Sequence, residues 1–197
     1  MVRTAVLVSG GGTNLEALLK AEEEGRTPSS QIVLVVSDRP CYALERARNH
    51  GKASLELSRK RKSFTQDLEE ALEKAGTQVI VLAGFLSILP ASFTDKYRNR
   101  IINIHPSLIP SFCGKGYYGL KVHEEALKRG VKVTGATVHI VNEIPDGGRI
   151  LLQKAVSVHE GDDAETLQHR VMEEAEWVLL PQALEMVSKE VLDRRSI

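Results

Sequence analysis

The chain has 197 residues, of which 42% are hydrophobic and 26% are charged, an ordinary composition for one soluble globular domain. Its 26 basic and 26 acidic side chains balance, so there is no overall attraction to nucleic acid or to an anionic membrane. Two cysteines, Cys41 and Cys113, are too few for a disulfide framework or a four-cysteine zinc site, and a reducing cytoplasm fits them best.

The first residues predict a strand, a glycine turn and a helix. Residues 5–8 form an apolar run that is too short for a signal sequence or a membrane span and is typical of a buried strand. Glycines at residues 10–12 interrupt the run, and a helical period of leucines follows. Either Thr13, together with Glu16 three positions later, or Asn14 is expected to cap this helix.

The same alternation continues through the N-terminal half. The pattern predicts three further strands and two helices, at residues 32–36, 54–57 and 78–83 and at residues 42–49 and 64–75, respectively. Near-continuous Val, Ile and Leu runs that alternate with helices are typical of a parallel sheet covered on both faces. We therefore expect a Rossmann-like, doubly wound α/β fold.

The C-terminal half begins with a strand at residues 101–104, after which prolines and glycines break up the pattern. It continues with a predicted helix and two long strands, at residues 120–128, 132–142 and 149–158. A short loop joins the two strands, so we expect them to extend a mostly parallel sheet in the antiparallel sense. A final helix is predicted from about residue 164 to residue 187, with a kink at Pro181.

The glycine turn is a candidate anion site. Glycines let the backbone curl, and the helix that follows presents free N–H groups and the positive end of its dipole. The alternative is a turn that only needs small residues. A dinucleotide site is disfavoured because Leu15 stands where a third glycine would let the helix pack close to the sheet. The basic residues 59–62 are a second candidate contact to a phosphate; the alternative is a solvated segment before a helix.

Two polar side chains mark the end of one predicted strand. Asn103 and His105 alternate with Ile104, so both leave the extended chain on the same side. In open parallel sheets ligands lie beyond the carboxyl ends of the strands, where this segment meets an irregular loop. Asp146 lies in a later loop, between Pro145 and two glycines, and otherwise serves as a turn former. An amide, an imidazole and a carboxylate can hold an oxyanion, shuttle a proton and orient the shuttle, as acyl transfer to an amine requires.

Other histidines are given supporting roles. His139, inside a predicted strand, is expected to orient a loop or to satisfy a buried polar group rather than to do chemistry. A zinc site formed by His105, His123 and His139 is disfavoured, because no H-x-x-x-H or carboxylate spacing supports it. The glycine turn by itself would also permit a non-catalytic nucleotide-binding module or an NAD-dependent oxidoreductase.

Five groups of short motifs follow one another along the chain. They are VLVSG with GTNL at residues 6–15, LAGF at 82–85, INIHPSL at 102–108, GATVH at 135–139 and DGG at 146–148. In this order they resemble the phosphoribosylglycinamide formyltransferases, folate-dependent enzymes of purine synthesis, and the similarity runs from residue 5 to about residue 181. Methionyl-tRNA formyltransferases and formyltetrahydrofolate deformylases share the core, but each carries an added domain for which we expect no room here.

The resemblance implies two small-molecule substrates. These are glycinamide ribonucleotide and 10-formyltetrahydrofolate, the latter as the formyl-donating co-substrate, with no metal, no nucleic acid and no membrane partner. It also implies a single formyltransferase domain over residues 1–197, whose N-terminal half binds the nucleotide phosphate and whose C-terminal half binds folate and catalyses the transfer. A homodimer stays open.

The resemblance also assigns individual residues. It implies catalysis by Asn103, His105 and Asp146. It implies ribonucleotide binding by Gly12, Thr13, Asn14 and Glu176, and support of the site by His139 and Ser107. It implies folate binding by Ile88, Leu89, Ile140, Val141, Asn142 and Glu143. For Glu176 the alternative is an exposed helix carboxylate. Five positions depart from the family pattern: Ser87, Asn142, Glu143, Arg149 and Trp177.

The expected reaction begins with attack of the neutral amine of the ribonucleotide on the formyl carbon. Asn103 and a protonated His105 would donate hydrogen bonds to the developing oxyanion. Asp146 would favour the imidazolium form of His105 and relay the amine proton to the leaving folate nitrogen.

Overall fold

Seven strands form one sheet in the computed structural model, which describes residues 1–194. They are β1 (Val2–Val8), β2 (Ser30–Ser37), β3 (Ser54–Glu56), β4 (Val79–Leu82), β5 (Ile101–His105), β6 (Val133–Ile140) and β7 (Ile150–Ser157). Their order across the sheet is β3-β2-β1-β4-β5-β6-β7. Neighbours from β3 to β5 run parallel, whereas β6 is antiparallel to both β5 and β7. The predicted α/β fold with an antiparallel C-terminal addition is confirmed; residues 195–197 of the predicted domain lie outside the described residues.

Within the described residues, seven α-helices accompany the strands. They are α1 (Thr13–Glu23), α2 (Ala43–Asn49), α3 (Phe64–Lys74), α4 (Ala91–Lys96), α5 (Leu120–Arg129), α6 (Ala164–Val171) and α7 (Trp177–Asp193). The sequence pattern did not predict α4, because its six residues hold too few turns for a helical period to show. It begins after Pro90 and buries Phe93 completely.

The sheet separates two hydrophobic cores. In β1, Val6 and Val8 belong to the core under α1 and α7, whereas Ala5 and Leu7 belong to the core under α3 and α4. Successive side chains of a strand face opposite ways, so a strand buried on both faces needs a nearly continuous apolar run. That requirement explains why the apolar runs identified β1, β2 and β4 from the sequence, and the doubly wound architecture is confirmed.

The predicted side-chain cap of α1 is wrong. The helix begins after Gly12, whose backbone is left-handed at φ 76°, and no side chain caps it. The Asn14 amide instead donates to a carboxylate oxygen of Glu176, 2.6 Å away. A Cβ at Gly12 would lie 2.7 Å from the Cβ of Ala43, so both the conformation and the packing require glycine there.

The final helix differs from its prediction as well. A π-helical segment, Met172–Glu176, separates α6 from α7, and α7 then runs through Pro181 to Asp193. Val171 and Leu180 are nine residues apart, which would place them on opposite faces of an uninterrupted α-helix at about 100° per residue. Both are fully buried in the same core. The wider π turn takes up one extra residue, so both apolar faces pack against the sheet.

Candidate active site

A cavity of about 300 Å³, here called the smaller cavity, opens at the carboxyl ends of β1 and β4. Its wall includes the glycine turn, Thr13, Asn14 and Glu176. A Cβ at Gly10 or Gly11 would meet no other atom within 4 Å, so packing does not demand glycine at either position. The need for small residues therefore explains Gly12 alone, whereas Gly10 and Gly11 leave bare backbone facing the cavity, where a ligand can approach closely.

Glu176 lies at the wall of the smaller cavity and is only 4% exposed. The alternative of an exposed helix carboxylate is therefore wrong. Burial raises the pKa of Glu176 to about 7, although the hydrogen bond from Asn14 opposes this shift. The π-helical segment ends at this residue, so the helix irregularity and the buried carboxyl coincide.

Four polar side chains converge between β5, β6 and the loop that follows β6. Asn103 on β5 lies opposite His139 on β6, and its amide nitrogen is 3.1 Å from Nε2 of that ring. The same Nε2 is 3.4 Å from Oδ1 of Asp146, and Nδ1 of His105 is 3.6 Å from Oδ2 of Asp146. The structure thus brings Asn103, His105 and Asp146 together, with His139 between the amide and the carboxylate.

The loop that carries Asp146 is tightly folded. Asp146 has a left-handed backbone at φ 56°, a conformation that few residues other than glycine adopt. The Gly114 N–H donates to its Oδ2 at 2.7 Å. A Cβ at Gly148 would lie 1.7 Å from the Ile140 carbonyl oxygen, and a Cβ at Gly147 would lie 2.6 Å from the Ile144 side chain. The paired glycines therefore allow the turn that aims the carboxylate at His105.

The protonation state of His105 differs from the prediction. Its Nε2 lies 2.8 Å from the Phe112 carbonyl, which can only accept, so Nε2 carries the hydrogen and donates. Burial lowers the pKa of His105 below its ordinary value, and this effect outweighs the opposing influence of Asp146 and of the Phe112 carbonyl. The ring is therefore mostly neutral at pH 7, and its hydrogen-free Nδ1 faces Asp146.

Asp146 itself is ionised. Burial would raise the pKa of this carboxyl, but its contacts with the His139 ring, the nearby His105 and the Gly114 N–H hold its pKa below the ordinary value. A buried carboxylate beside a neutral imidazole is arranged to stabilise a proton that arrives on the ring. The pair can therefore accept a proton during a reaction.

His139 and Ser107 make supporting contacts. His139 Nδ1 donates to the Ile140 carbonyl at 2.9 Å, which fixes the ring so that Nε2 faces Asn103. The Ser107 hydroxyl donates to the Ser111 carbonyl at 2.5 Å, and the Ser107 carbonyl accepts from the Thr137 hydroxyl at 2.7 Å. These bonds fasten the loop after β5 to itself and to β6.

A second cavity of about 420 Å³, the larger cavity, adjoins the smaller one, and Leu86 and Tyr118 line both. Asn103, His139 and Asp146 lie in its wall. Five of the six residues predicted to bind folate also line it: Ile88, Leu89, Val141, Asn142 and Glu143. The sixth, Ile140, is buried in the hydrophobic core instead and contributes its carbonyl to His139. Ile88 is 78% exposed, so much of this wall is apolar surface open to a ligand.

Several contributions were not predicted from the sequence. Phe112 and Gly114 hold His105 and Asp146 through backbone atoms, and any residue type can supply such contacts. The Ser87 hydroxyl donates to Oδ2 of Asp38 at 2.6 Å, which ties the loop of the larger cavity to the end of β2. The basic residues 59–62 are exposed and line neither cavity.

Comparison with known proteins is decisive for the family. The model of the formyl transferase family matches residues 2–184. The chain belongs to the formyl transferase family. Among solved structures, glycinamide ribonucleotide transformylase 1 from Symbiobacterium toebii is similar, with a TM-score of 0.89 and 40% identity over 96% of this chain and 89% of that chain. The predicted resemblance to phosphoribosylglycinamide formyltransferases is confirmed.

Two relatives of this chain are longer proteins. The trifunctional purine biosynthetic protein adenosine-3 of Bos taurus is 42% identical over 193 residues, which cover 94% of this chain and 18% of that protein. The chloroplastic phosphoribosylglycinamide formyltransferase of Arabidopsis thaliana is 37% identical over 177 residues, which cover 87% of this chain and 61% of that protein. This chain therefore spans less than two thirds of either relative.

Two further observations concern residues 1–194 of this chain. Along that stretch, no helix combines the length and the apolar character needed to cross a membrane. The same stretch holds no group of three His, Cys, Asp or Glu side chains placed to bind a metal ion.

Proposed function

We propose that the chain transfers the formyl group of 10-formyltetrahydrofolate to the amine of glycinamide ribonucleotide. The products are formylglycinamide ribonucleotide and tetrahydrofolate, in the synthesis of purines. The observation that carries this proposal is the convergence of Asn103, His105 and Asp146 beside two adjoining cavities. The names of the relatives support the same reaction.

Each substrate has one cavity. The ribonucleotide occupies the smaller cavity, with its phosphate at Gly12, Thr13 and Asn14 and its ribose at Glu176. Backbone N–H groups at the start of α1 and the positive end of its dipole favour an anion there. The folate occupies the larger cavity against Ile88, Leu89 and residues 141–143, where an apolar wall suits a flat aromatic ring. The N-terminal half thus binds the phosphate, and the C-terminal half catalyses the transfer and binds the folate together with Ile88 and Leu89 of the N-terminal half.

The chemistry requires one proton to change places. The amine nitrogen forms a bond to the formyl carbon, and the Asn103 amide donates to the oxyanion that develops. The amine proton passes to the pair formed by Asp146 and the hydrogen-free Nδ1 of His105, which gives an imidazolium beside a carboxylate. That proton is then delivered to the folate nitrogen as its bond to the formyl carbon breaks. His139 orients Asn103, and Ser107 supports the loop.

A single assay tests the reaction. The purified chain is supplied with 10-formyltetrahydrofolate and glycinamide ribonucleotide, and the release of tetrahydrofolate is recorded together with formylation of the ribonucleotide. We expect both products in equal amounts and none when the ribonucleotide is omitted. Release of tetrahydrofolate and formate without ribonucleotide would indicate a deformylase, and no release at all would contradict the proposal.

The assembly and the compartment belong to the same proposal. A homodimer stays open, and we expect each chain to carry its own pair of cavities and its own catalytic residues. We expect the activity per chain to stay constant on dilution while light scattering reports the oligomeric state. Cys41 and Cys113 are both unpaired, which supports a reducing cytoplasm as the place of the reaction.

A further inference from the structure

The three carbonyls of the glycine turn are all occupied by donors that lie outside the smaller cavity. They accept hydrogen bonds as follows: Gly10 from the Ala43 N–H at 3.2 Å, Gly11 from Nε of Arg46 at 2.8 Å and Gly12 from the Glu16 N–H at 2.9 Å. Two of these donors belong to α2, which packs against the turn through Ala43 and Gly12. The turn is therefore held from behind by a helix that does not line the cavity.

The direction of these carbonyls decides the direction of the amides. In a trans peptide the C=O and the N–H of the same unit point in opposite directions. The Gly11 carbonyl faces Arg46 on the outer side, so the Gly12 N–H of the same peptide faces the other way. An anion in the cavity consequently meets N–H groups rather than carbonyl lone pairs.

We propose that Arg46 is a positioning residue for the ribonucleotide phosphate, which it serves by holding the Gly11–Gly12 peptide from outside the cavity. The inference rests on the proposed function, since it concerns the phosphate subsite of that reaction. A charged donor on the Gly11 carbonyl also polarises the peptide, which strengthens the Gly12 N–H as a donor to an anion. Arg46 acts through the turn and does not touch the substrate.

Arg46 is itself held in place. Its Nη1 lies 3.1 Å from Oε2 of Glu16, and its guanidinium carbon lies 5.0 Å from the centre of the Tyr42 ring. The side chain is 28% exposed, so the hydrogen bond to Gly11 is partly shielded from water. The planar guanidinium can donate to Gly11 and to Glu16 at once, whereas a lysine ammonium lacks this fixed geometry.

The first test compares ligands with and without a phosphate. Calorimetry would measure the binding of ribose 5-phosphate and of ribose to the unaltered chain and to the Arg46→Gln variant. We expect ribose 5-phosphate to bind about tenfold more weakly to the variant, with ribose affected little. The matched control is Arg48→Gln, because Arg48 lies on the same helix and is exposed. It should leave both affinities unchanged.

Kinetics gives a second, independent measurement. In Arg46→Gln the KM for glycinamide ribonucleotide should rise about tenfold, with kcat and the KM for 10-formyltetrahydrofolate close to their unaltered values. Arg46→Lys should restore only part of the affinity, because lysine keeps the positive charge but lacks the planar guanidinium that donates to Gly11 and Glu16 at once. Full restoration by lysine would overturn the role given to the hydrogen bond.

The outcomes separate this inference from the reaction itself. Unchanged binding of ribose 5-phosphate to Arg46→Gln, or an equal loss for ribose and ribose 5-phosphate, would overturn the role of Arg46 even in an active enzyme. Failure of ribose 5-phosphate to bind the unaltered chain would overturn it as well. A chain that binds ribose 5-phosphate in an Arg46-dependent way but forms no tetrahydrofolate would instead contradict the proposed function.

Discussion

The glycine turn of the smaller cavity presents backbone groups to a ligand, whereas the wall of the larger cavity presents the side chains of Asn103, His139 and Asp146. Residues 9–14, which join β1 to α1, form one continuous part of the smaller cavity's wall, and the donors of this part come from the peptide chain. The catalytic group beside the larger cavity combines Asn103 and His105 with Asp146, which is more than forty positions later and lies in an irregular loop. Backbone donors survive most substitutions unless an added Cβ obstructs them. Side-chain donors are lost with a single substitution, so the two cavities should respond differently to mutation.

The largest effect on turnover is expected from the catalytic side chains beside the larger cavity. Asn103→Ala and His105→Ala should each lower kcat by about a hundredfold to a thousandfold, because each removes a group that meets charge developing in the transition state. The KM for the ribonucleotide should change little, since the phosphate subsite is built elsewhere. Steady-state kinetics on variants with unaltered thermal unfolding checks this. Unaltered turnover in purified His105→Ala would show that the proposed mechanism is wrong.

Asp146→Asn sharpens the same comparison. Asparagine tolerates the left-handed backbone of this position, so the variant should fold, but it cannot accept the amine proton. We expect kcat to fall by about a hundredfold while ribonucleotide binding, measured by calorimetry, is largely kept. Unchanged turnover would assign Asp146 a purely structural role.

The same contrast explains what the sequence could predict. The strand, turn and helix of β1 and α1 were predictable because each depends on near neighbours, and apolar runs identify strands buried on both faces. The absence of a side-chain cap on α1 was not predictable. Asn14 is a residue type that often caps helices, but here its amide donates to Glu176, 162 positions later. A local pattern carries no information about so distant a partner.

The candidate site shows the same limit. Alternation along β5 correctly places Asn103 and His105 near each other, since strand geometry alone decides it. The charge state of His105 depends instead on burial and on the Phe112 carbonyl, neither of which a residue type reveals. The π-helical segment arises because the apolar faces of α6 and α7 are out of phase, which only the packed core shows.

The buried carboxyl of Glu176 in the smaller cavity can be tested through the pH dependence of the free energy of unfolding. Its raised pKa of about 7 means that the folded protein holds a proton that the unfolded chain, with an ordinary pKa of 4.5, has lost. The free energy of unfolding should therefore fall as the pH rises from about 4.5 to about 7 and then level off. Relative to Glu176→Gln, the unaltered chain should lose about 2 kcal/mol between about pH 5 and pH 7.5.

Urea unfolding across this pH range measures the effect of Glu176. Groups other than Glu176 titrate alike in both proteins, so their contributions cancel in the difference. Glu173→Gln is the matched control, because Glu173 belongs to the same π-helical segment but is exposed. Its difference from the unaltered chain should not depend on pH. Parallel profiles for Glu176→Gln and the unaltered chain would show that the buried carboxyl is ionised in the folded state.

The smallest effect is expected at the apolar wall of the larger cavity. Ile88→Ser removes an exposed side chain that a bound folate would cover, so the KM for 10-formyltetrahydrofolate should rise about fivefold. The KM for the ribonucleotide and the thermal stability should stay unchanged, because the side chain buries little surface in the folded protein. Val133→Ser, which alters another exposed residue that lines neither cavity, is the control. Equal rises in both KM values would mean that Ile88 shapes the junction of the two cavities, where Leu86 and Tyr118 line both. The two subsites would then not respond separately to mutation, which would contradict the comparison between them.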